Sequence, residues 1–355
     1  MKFLGRLLTT TIAGTGMFAL AGTASAQSSA PAPTPAPTAP AAPAPGYHIV
    51  DRIQIGDGWW DYVNIEPVHH RLFATRGNGI FELDLETGLI DNRFIPGSEG
   101  RAVIPLPGGD TMLTTMAGIS GAILFTTVEG NIVKVVDLEQ ASDSAVYEPV
   151  GKRVWVMGGH GKAAAIDPAT KEVDGAVELG EPLEFSQTDG RGHVFVNGTE
   201  SASVIVFDAV SRKLVGKWKM KGCEDPSGMA YVEGADVILS VCFNNMLKVL
   251  DAKTGEDLAT LPVGKGADAV IYDKVRKRAF VPSAYDGVLT VLKVNGRRDI
   301  HVEEVVPTQI GTRTGAVDLT TGTLYLPTAR FAALNKLGWP EAIPGTVQML
   351  VMKPN

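Results

Sequence analysis

Residues 268–280 read DAVIYDKVRKRAF, and this stretch decides the fold because its pattern recurs along the chain. A polar or charged residue opens the stretch, small or apolar residues follow, and a turn leads into a second β-rich segment. The copies begin, at intervals of 40 to 45 residues, at Asp61, Arg101, Asp143, Glu184, Ser227, Asp268 and Arg313. A regular interval of this length is typical of a repeat protein in which each repeat is one structural unit.

Each repeat continues through further strands and a characteristic tight turn. Residues 251–255 (DAKTG) form one such turn: the aspartate side chain can bind the backbone ahead of it, and the glycine accepts a positive φ. No segment shows the long 3.6-residue apolar period of a helix. Four strands in about 42 residues are typical of a β-propeller blade. The sequence therefore predicts an all-β, seven-bladed β-propeller with four-stranded blades.

The last repeat, which starts at Arg313, has only three predicted strands before the chain ends. Residues 48–55 (HIVDRIQI) precede the first repeat and also have the pattern of a strand. This N-terminal strand can complete the last blade and so remove the open edge that a linear array would leave. We therefore expect a ring closed by strands from both ends, and a single propeller over residues 47–355.

The segment before the propeller has the composition of an export signal and a linker. Lys2 and Arg6 precede an apolar stretch, and residues 24–26 (ASA) resemble a small-residue cleavage site, so residues 1–26 are predicted to be a removable signal peptide. The apolar stretch is too short for a comfortable membrane span. Residues 27–46 are almost entirely Pro, Ala, Thr and Ser, a composition typical of a flexible linker. We expect a periplasmic or secreted monomer with no transmembrane span after cleavage.

The charge balance argues against one class of function. Lys2 and Arg6 are two of the 32 basic residues, so the chain without its signal carries 30 basic and 39 acidic residues. General nucleic-acid binding requires clustered Lys and Arg, and it is therefore not expected.

The repeat resembles the YVTN-type β-propeller repeat of YncE-like exported bacterial proteins. The similar features are the Asp-x-x-Thr-Gly turn followed by residues 261–264 (LPVG), with the motifs CEDP at 223–226, SVC at 240–242, VPTQ at 306–309 and LYLP at 324–327. The resemblance covers residues 47–355 and implies the fold and a binding or scaffold role, not a particular activity. The second repeat has residues 127–130 (TVEG) at the turn, so its edge is expected to be irregular.

The first residue of each copy is predicted to lie at one mouth of the central channel, because the first strand of each blade lines that channel. Asp61, Arg101, Asp143, Glu184, Asp268 and Arg313 would then form a charged ring, with Glu224 and Asp225 close by. Like charges that share a cavity disfavour joint ionisation. Salt bridges to Arg101 and Arg313, which flank Asp61, would relieve this repulsion. A divalent cation such as Ca²⁺, held by Asp143, Glu184, Asp225 and Asp268, is the alternative.

The connections between second and third strands should reach the same face and add further polar side chains. They contribute Arg76, His160, Asn197 and Tyr285 to a candidate small-molecule site. His160 is a candidate proton-transfer group, although a histidine in such a loop is more often simply solvated. Trp60, with Trp59 beside it, could stack on a ligand or pack against a neighbouring blade.

Cys223 and Cys242 fall at matching ends of two adjacent antiparallel strands at this face. In an exported protein they are expected to form a disulfide, and a metal-binding thiol pair is the minority interpretation.

Two functions remain open. No Gly-x-Ser-x-Gly, His-Glu-x-x-His or dinucleotide-binding motif occurs, so the sequence favours a non-catalytic binding propeller. Its ligand would be a small molecule, a peptide or a periplasmic or envelope protein, bound at the channel mouth. The alternative is a metal-assisted lactonase or hydrolase, in which the cation activates water and His160 or an acid is the base.

Overall fold

The computed structural model describes residues 46–97, 99–116, 121–332 and 341–355. The predicted signal peptide and nearly all of the predicted linker therefore lie outside the described residues. Within the described ranges the chain is built from β-strands and their connections, with no α-helix. No helix in this part of the chain is long and apolar enough to cross a membrane.

The strands form seven antiparallel sheets of four strands each, which are the blades of a propeller. Blade 1 comprises β2 (Trp60–Glu66), β3 (Arg71–Arg76), β4 (Gly79–Asp84) and β5 (Ile90–Pro96). Blade 2 comprises β6 (Gly100–Pro105), β7 (Thr111–Met116), β8 (Ile123–Thr127) and β9 (Ile132–Val136). Blade 3 comprises β10 (Ser142–Glu148), β11 (Arg153–Gly158), β12 (Lys162–Asp167) and β13 (Glu172–Glu178). Blade 4 comprises β14 (Leu183–Thr188), β15 (His193–Gly198), β16 (Ser203–Asp208) and β17 (Leu214–Lys219). Blade 5 comprises β18 (Pro226–Val232), β19 (Val237–Cys242), β20 (Met246–Asp251) and β21 (Asp257–Pro262). Blade 6 comprises β22 (Ile271–Asp273), β23 (Arg278–Ser283), β24 (Val288–Gly296) and β25 (Asp299–Pro307).

Blade 7 confirms the predicted closure of the ring. It contains β26 (Ala316–Val317), β27 (Leu324–Thr328) and β28 (Gln348–Pro354), and its outermost strand is the N-terminal β1 (Tyr47–Gln54). β1 runs antiparallel to β28, with Tyr47 opposite Pro354 and Gln54 opposite Gln348. The buried Tyr47 ring also contacts Phe280 of blade 6, with ring centroids 4.9 Å apart.

The predicted tight turns depend on aspartate side chains. Asp251 Oδ1 accepts hydrogen bonds from the backbone amides of Lys253 and Thr254, both at 2.8 Å, and Gly255 has a φ of +72°. Blade 2 lacks this aspartate, and the Thr127 hydroxyl takes its place by accepting a bond from the Glu129 amide at 3.2 Å. The turn therefore forms in both sequence variants.

The core lies mainly between blades. In one cluster Val249 of blade 5 is packed with Val281 and Leu292 of blade 6, and all three are fully buried. The same type of packing across the 7–1 boundary joins Met349 to Trp60 and Phe81. Because each blade completes its neighbour's core, the ring is one cooperative unit and presents a single channel.

Candidate binding site at the channel mouth

A β-bulge turns two consecutive residues of an innermost strand toward the channel. In blade 1 the register with the second strand shifts between Trp60 and Val63, so Asp61 and Tyr62 oppose a shortened stretch of the partner strand. Bulges re-aim side chains in this way at functional sites. The same shift occurs at Gly100/Val103, Ser142/Ala145, Leu183/Ser186 and Pro226/Met229. The first residue of each repeat is therefore presented in an equivalent way in five blades.

Hydrogen bonds between blades hold the ring residues in place. The Thr75 hydroxyl of blade 1 donates to the Arg101 carbonyl at 2.8 Å. Asn197 has the same role between blades 4 and 5: its amide donates to the Ser227 carbonyl at 2.7 Å and accepts from the Ser240 hydroxyl at 2.9 Å. Asn197 is fully buried. It therefore positions the ring and does not face a ligand, unlike the sequence-based prediction.

One half of the ring is neutralised by ion pairs. Arg101 donates to Asp61 at 2.8 Å, and Arg313 donates to Asp268 at 2.7 Å. The sequence placed both arginines beside Asp61, but only Arg101 is hydrogen-bonded to that carboxylate. Arg313 reaches Asp268 in the preceding blade instead and also donates to the Trp60 carbonyl. Burial raises the pKa of Asp61, and the two guanidinium groups oppose that rise.

The other half of the ring holds two neighbouring acidic side chains. Asp143 and Glu184 lie close enough for each to affect the pKa of the other, and within the described residues neither forms a salt bridge. Burial, with the nearby Asp61, raises the pKa of Asp143 to about 7. Burial and the Asp143 charge raise the pKa of Glu184 well above its ordinary value. Both carboxyl groups therefore hold a proton more tightly than free carboxyl groups do, and a cation bound beside them would compete with that proton.

The loop before blade 5 brings more acidic groups to the acidic half of the ring. Glu224 and Asp225 are both exposed. Burial and the Asp268 charge raise the pKa of Asp225. Asp225 therefore lies close enough to the ring to interact electrostatically with it. The predicted disulfide between Cys223 and Cys242 is present, with an S–S length of 2.04 Å. It ties this loop to the end of β19.

Exposed aromatic side chains surround the mouth. Trp59 is 44% exposed, and the Arg101 and Arg313 guanidinium carbons lie 4.8 and 5.5 Å from its ring centroid. Tyr285, predicted at this face, is 48% exposed and contacts Phe243 edge to face at 6.2 Å. We call Trp59, Phe243 and Tyr285 the aromatic rim. Sequence reasoning missed Phe243, although it lies in the same class of connection as Tyr285.

Three of the predicted mouth residues lie elsewhere. Trp60 is 4% exposed and packs against Phe331, with centroids 6.3 Å apart; the bulge that begins at Trp60 leaves the exposed position to Trp59. Arg76 is buried and donates to the carbonyls of Gly56 and Asn92. Its guanidinium therefore holds the loop between β1 and β2 in place. His160 is exposed in the β11–β12 turn and forms no bond to the ring.

Below the ring the channel is closed by two aromatic rings. Tyr62 of blade 1 and Phe185 of blade 4 meet edge to face, with centroids 4.9 Å apart. Burial raises the pKa of Tyr62 well above its ordinary value, and the Asp143 and Glu184 charges add to the effect. The mouth is therefore a shallow charged bowl and not an open pore.

The described acids do not converge on a metal-binding point. Within residues 46–97, 99–116, 121–332 and 341–355, no group of three or more His, Cys, Asp or Glu side chains could hold a metal ion. The proposed ligand set of Asp143, Glu184, Asp225 and Asp268 is spread around the ring, and Asp268 is already paired with Arg313.

Comparison with known proteins identifies the fold. No family model matches the chain, and no curated protein matches it. A chain in a crystal structure of the mitotic checkpoint complex is similar, with 10% identity over 90% of this chain and 96% of that one and a TM-score of 0.70. Structures of the RRP9 WD40 repeats and of U3-55K each have 10% identity over 87% of this chain and 98% of theirs, with a TM-score of 0.72. At this identity the similarity shows a WD40-like seven-bladed propeller fold alone.

Proposed function

We propose that the protein is a non-catalytic binding propeller whose channel mouth takes a cationic side chain from a peptide or partner protein. The observation that carries this proposal is the Asp143–Glu184 pair. It is the part of the ring that forms no salt bridge within the described residues, and burial together with the neighbouring carboxylates raises the pKa values of both acids.

The aromatic rim supports the same type of ligand. Cations are attracted to the faces of aromatic rings, and two guanidinium groups already lie over Trp59. Phe243 and Tyr285 are exposed at the same mouth, and partial burial together with the charge of Asp268 raises the pKa of Tyr285. A lysine or arginine side chain could therefore contact rings along its stem while its charged end reaches the carboxyl pair. Aromatic side chains of this kind are common anchors at protein interfaces.

The metal-assisted hydrolase stays a prediction that the geometry does not favour. A hydrolytic cation needs several oxygen ligands around one point. Asp61 and Asp268 are each paired with an arginine, and no group of three or more suitable side chains is found among the described residues. His160, the candidate base, is a solvent-exposed turn residue.

We also infer that the chain is exported and belongs to the YVTN-type group it resembles. The Cys223–Cys242 disulfide supports export, because disulfides persist in oxidising compartments. The repeated Asp-x-x-Thr-Gly turns, which form as that repeat implies, support the family. Monomeric state is part of the same proposal.

Selection of peptides displayed on phage tests the proposed function directly. The bait is the propeller, and phage that bind the double variant Asp143→Asn/Glu184→Gln are removed in each round. We expect the surviving peptides to share a lysine or arginine. Peptides without any shared basic residue would contradict the proposal, as would a failure to select any peptide that the double variant does not bind.

A matched control separates the mouth from other acidic surfaces. Asp110 and Glu139 are exposed carboxylates outside the charged ring. The variant Asp110→Asn/Glu139→Gln removes the same formal charge from the protein. It should bind the selected peptides as the unmodified propeller does.

A further inference from the structure

The channel contains a second space that the mouth does not explain. A cavity of about 430 Å³ lies along the innermost strands of all seven blades. Its lining includes Tyr62 and Phe185 but none of the charged ring residues. The cavity therefore begins at the aromatic plug and extends away from the mouth. We call it the lower chamber.

The lower chamber carries no ionisable acid or base on its walls other than tyrosine. Its lining residues are small, aliphatic, aromatic or amide side chains. Ile104, Val146 and Ile271 supply apolar wall, while the charged ring lies on the far side of the plug. A charged ligand would lose its hydration here without gaining a partner, which is costly. The chamber therefore selects against ions, in contrast to the mouth.

Two side-chain amides add hydrogen-bonding groups to a wall that also contains serine, threonine and tyrosine hydroxyls. Asn64 donates to the Val103 carbonyl at 2.5 Å, and its own side-chain oxygen accepts no hydrogen bond within the described residues. The Gln187 amide forms no hydrogen bond in that same part of the chain. Asn64 belongs to blade 1 and Gln187 to blade 4, the two blades that also supply the aromatic plug.

These features match the general composition of small-molecule sites. Ligand pockets usually enclose roughly 300–1,000 Å³ and combine apolar walls with a few polar groups that orient the ligand. We propose that the lower chamber binds a small, neutral, largely apolar molecule that carries a carbonyl or hydroxyl group. The Gln187 amide would hydrogen-bond that group, and the aromatic plug would cover one end of the molecule. This site is independent of the proposed peptide site at the mouth.

Fluorescence titration with prodan, a neutral naphthyl ketone, tests the proposal. We expect saturable binding of one prodan per chain with a blue-shifted emission. Displacement should be achieved by 2-acetonaphthone, which is neutral, and not by 2-naphthoate, which has a similar size and a negative charge. Absence of saturable binding would overturn the proposal, and equal displacement by the two competitors would overturn its selectivity for neutral molecules.

Substitutions locate the bound probe. Val146 is only partly buried and lines the chamber, so Val146→Trp should fill the space and weaken prodan binding at least about 10-fold, a loss that overpacking of this size can cause. Gln187→Leu should weaken binding about 5- to 10-fold, the value of one net hydrogen bond. The matched control Val150→Trp changes a 54% exposed residue in the turn of the same blade and should have no effect.

The double variant Asp143→Asn/Glu184→Gln distinguishes this site from the mouth. It should bind prodan as the unmodified protein does, whatever its effect on peptides. Unchanged binding to Val146→Trp, once its far-ultraviolet spectrum confirms folding, would place the probe outside the chamber and overturn the proposal. If Val146→Trp does not fold, Gln187→Leu is used instead, and unchanged prodan binding to that variant would overturn the proposal.

Discussion

At the scale of single residues, charge in the ring is distributed by which neighbour each side chain can reach. Arg101 and Arg313 each take one carboxylate, and the two remaining acids are left to each other. Position in the repeat predicted that Asp61, Asp143, Glu184 and Asp268 would meet. It could not predict the pairing, because the choice between Asp61 and Asp268 for Arg313 depends on distances between blades. Position beside Asp61 likewise could not decide between Trp59 and Trp60: Trp59 is exposed at the mouth, whereas Trp60 packs against Phe331.

Asp143→Asn should stabilise the propeller at alkaline pH. The folded protein raises the pKa of Asp143 from 3.8 to about 7, so the folded state binds this proton more tightly than the unfolded state does. Stability attributable to the group is therefore greatest at low pH and decreases as pH rises from about 4 to about 7. The variant removes the ionising group. We expect its melting temperature to exceed that of the unmodified protein at pH 8 by a few degrees, at roughly 2–4 °C per kcal/mol, with a smaller difference at pH 5.

Calorimetric melting at the two pH values measures this effect. Asp110→Asn, at an exposed site outside the charged ring, is the matched control and should show no comparable difference between the two pH values. A lower melting temperature for Asp143→Asn at pH 8 would mean that the carboxylate is stabilised by its surroundings, contrary to this account.

At the scale of elements, regular features of the sequence were sufficient to predict the fold. The repeat interval, the aspartate turns and the missing last strand are local signals, and each corresponds to a local physical cause. β1 illustrates this. The sequence showed one strand before the first repeat and a last repeat that lacked one strand, and the two pair as β1 and β28 of blade 7. The bulges were not predictable in the same way, because no special residue marks them in the sequence.

Deletion of residues 48–55 should prevent stable folding. It removes most of β1, exposes the edge of β28 and takes Ile55 from the core between blades 7 and 1. Deletion of residues 27–45 removes none of these contacts and is the matched control. Circular dichroism with thermal melting should show a cooperative transition for the control alone. A cooperative transition of similar midpoint in both proteins would contradict closure by β1.

The disulfide should stabilise both the blade and the mouth. It closes a sequence separation of 19 residues, for which a contribution of about 3 kcal/mol is typical. Cys223→Ser/Cys242→Ser should therefore unfold at lower denaturant concentration, and its affinity for selected peptides should also fall because Phe243 and Asp225 flank the bond. Unmodified protein kept reduced should behave in the same way. Unchanged peptide affinity would separate this loop from the binding site.

At the scale of the whole molecule, the ring encloses a channel whose two parts differ in charge. The mouth is charged and rimmed by aromatic residues, the Tyr62–Phe185 contact closes its floor, and the lower chamber beyond is neutral. The sequence predicted the charged mouth from one position per repeat. It did not predict the plug, because Tyr62 and Phe185 are far apart in the chain and become partners only when blades 1 and 4 face each other across the ring.

Proton-linked binding at the mouth tests the central claim most directly. The measurement is isothermal titration of a selected peptide into the propeller at pH 6 and pH 8, beside the same peptide with its arginine replaced by citrulline or its lysine by glutamine. A cation that competes with protons for Asp143 and Glu184 should bind more tightly at pH 8 and release protons at pH 7. The neutral peptide and the Asp143→Asn/Glu184→Gln variant should lose this dependence. Equal affinity at both pH values, or unchanged affinity for the neutral peptide, would contradict recognition of a cation by the carboxyl pair.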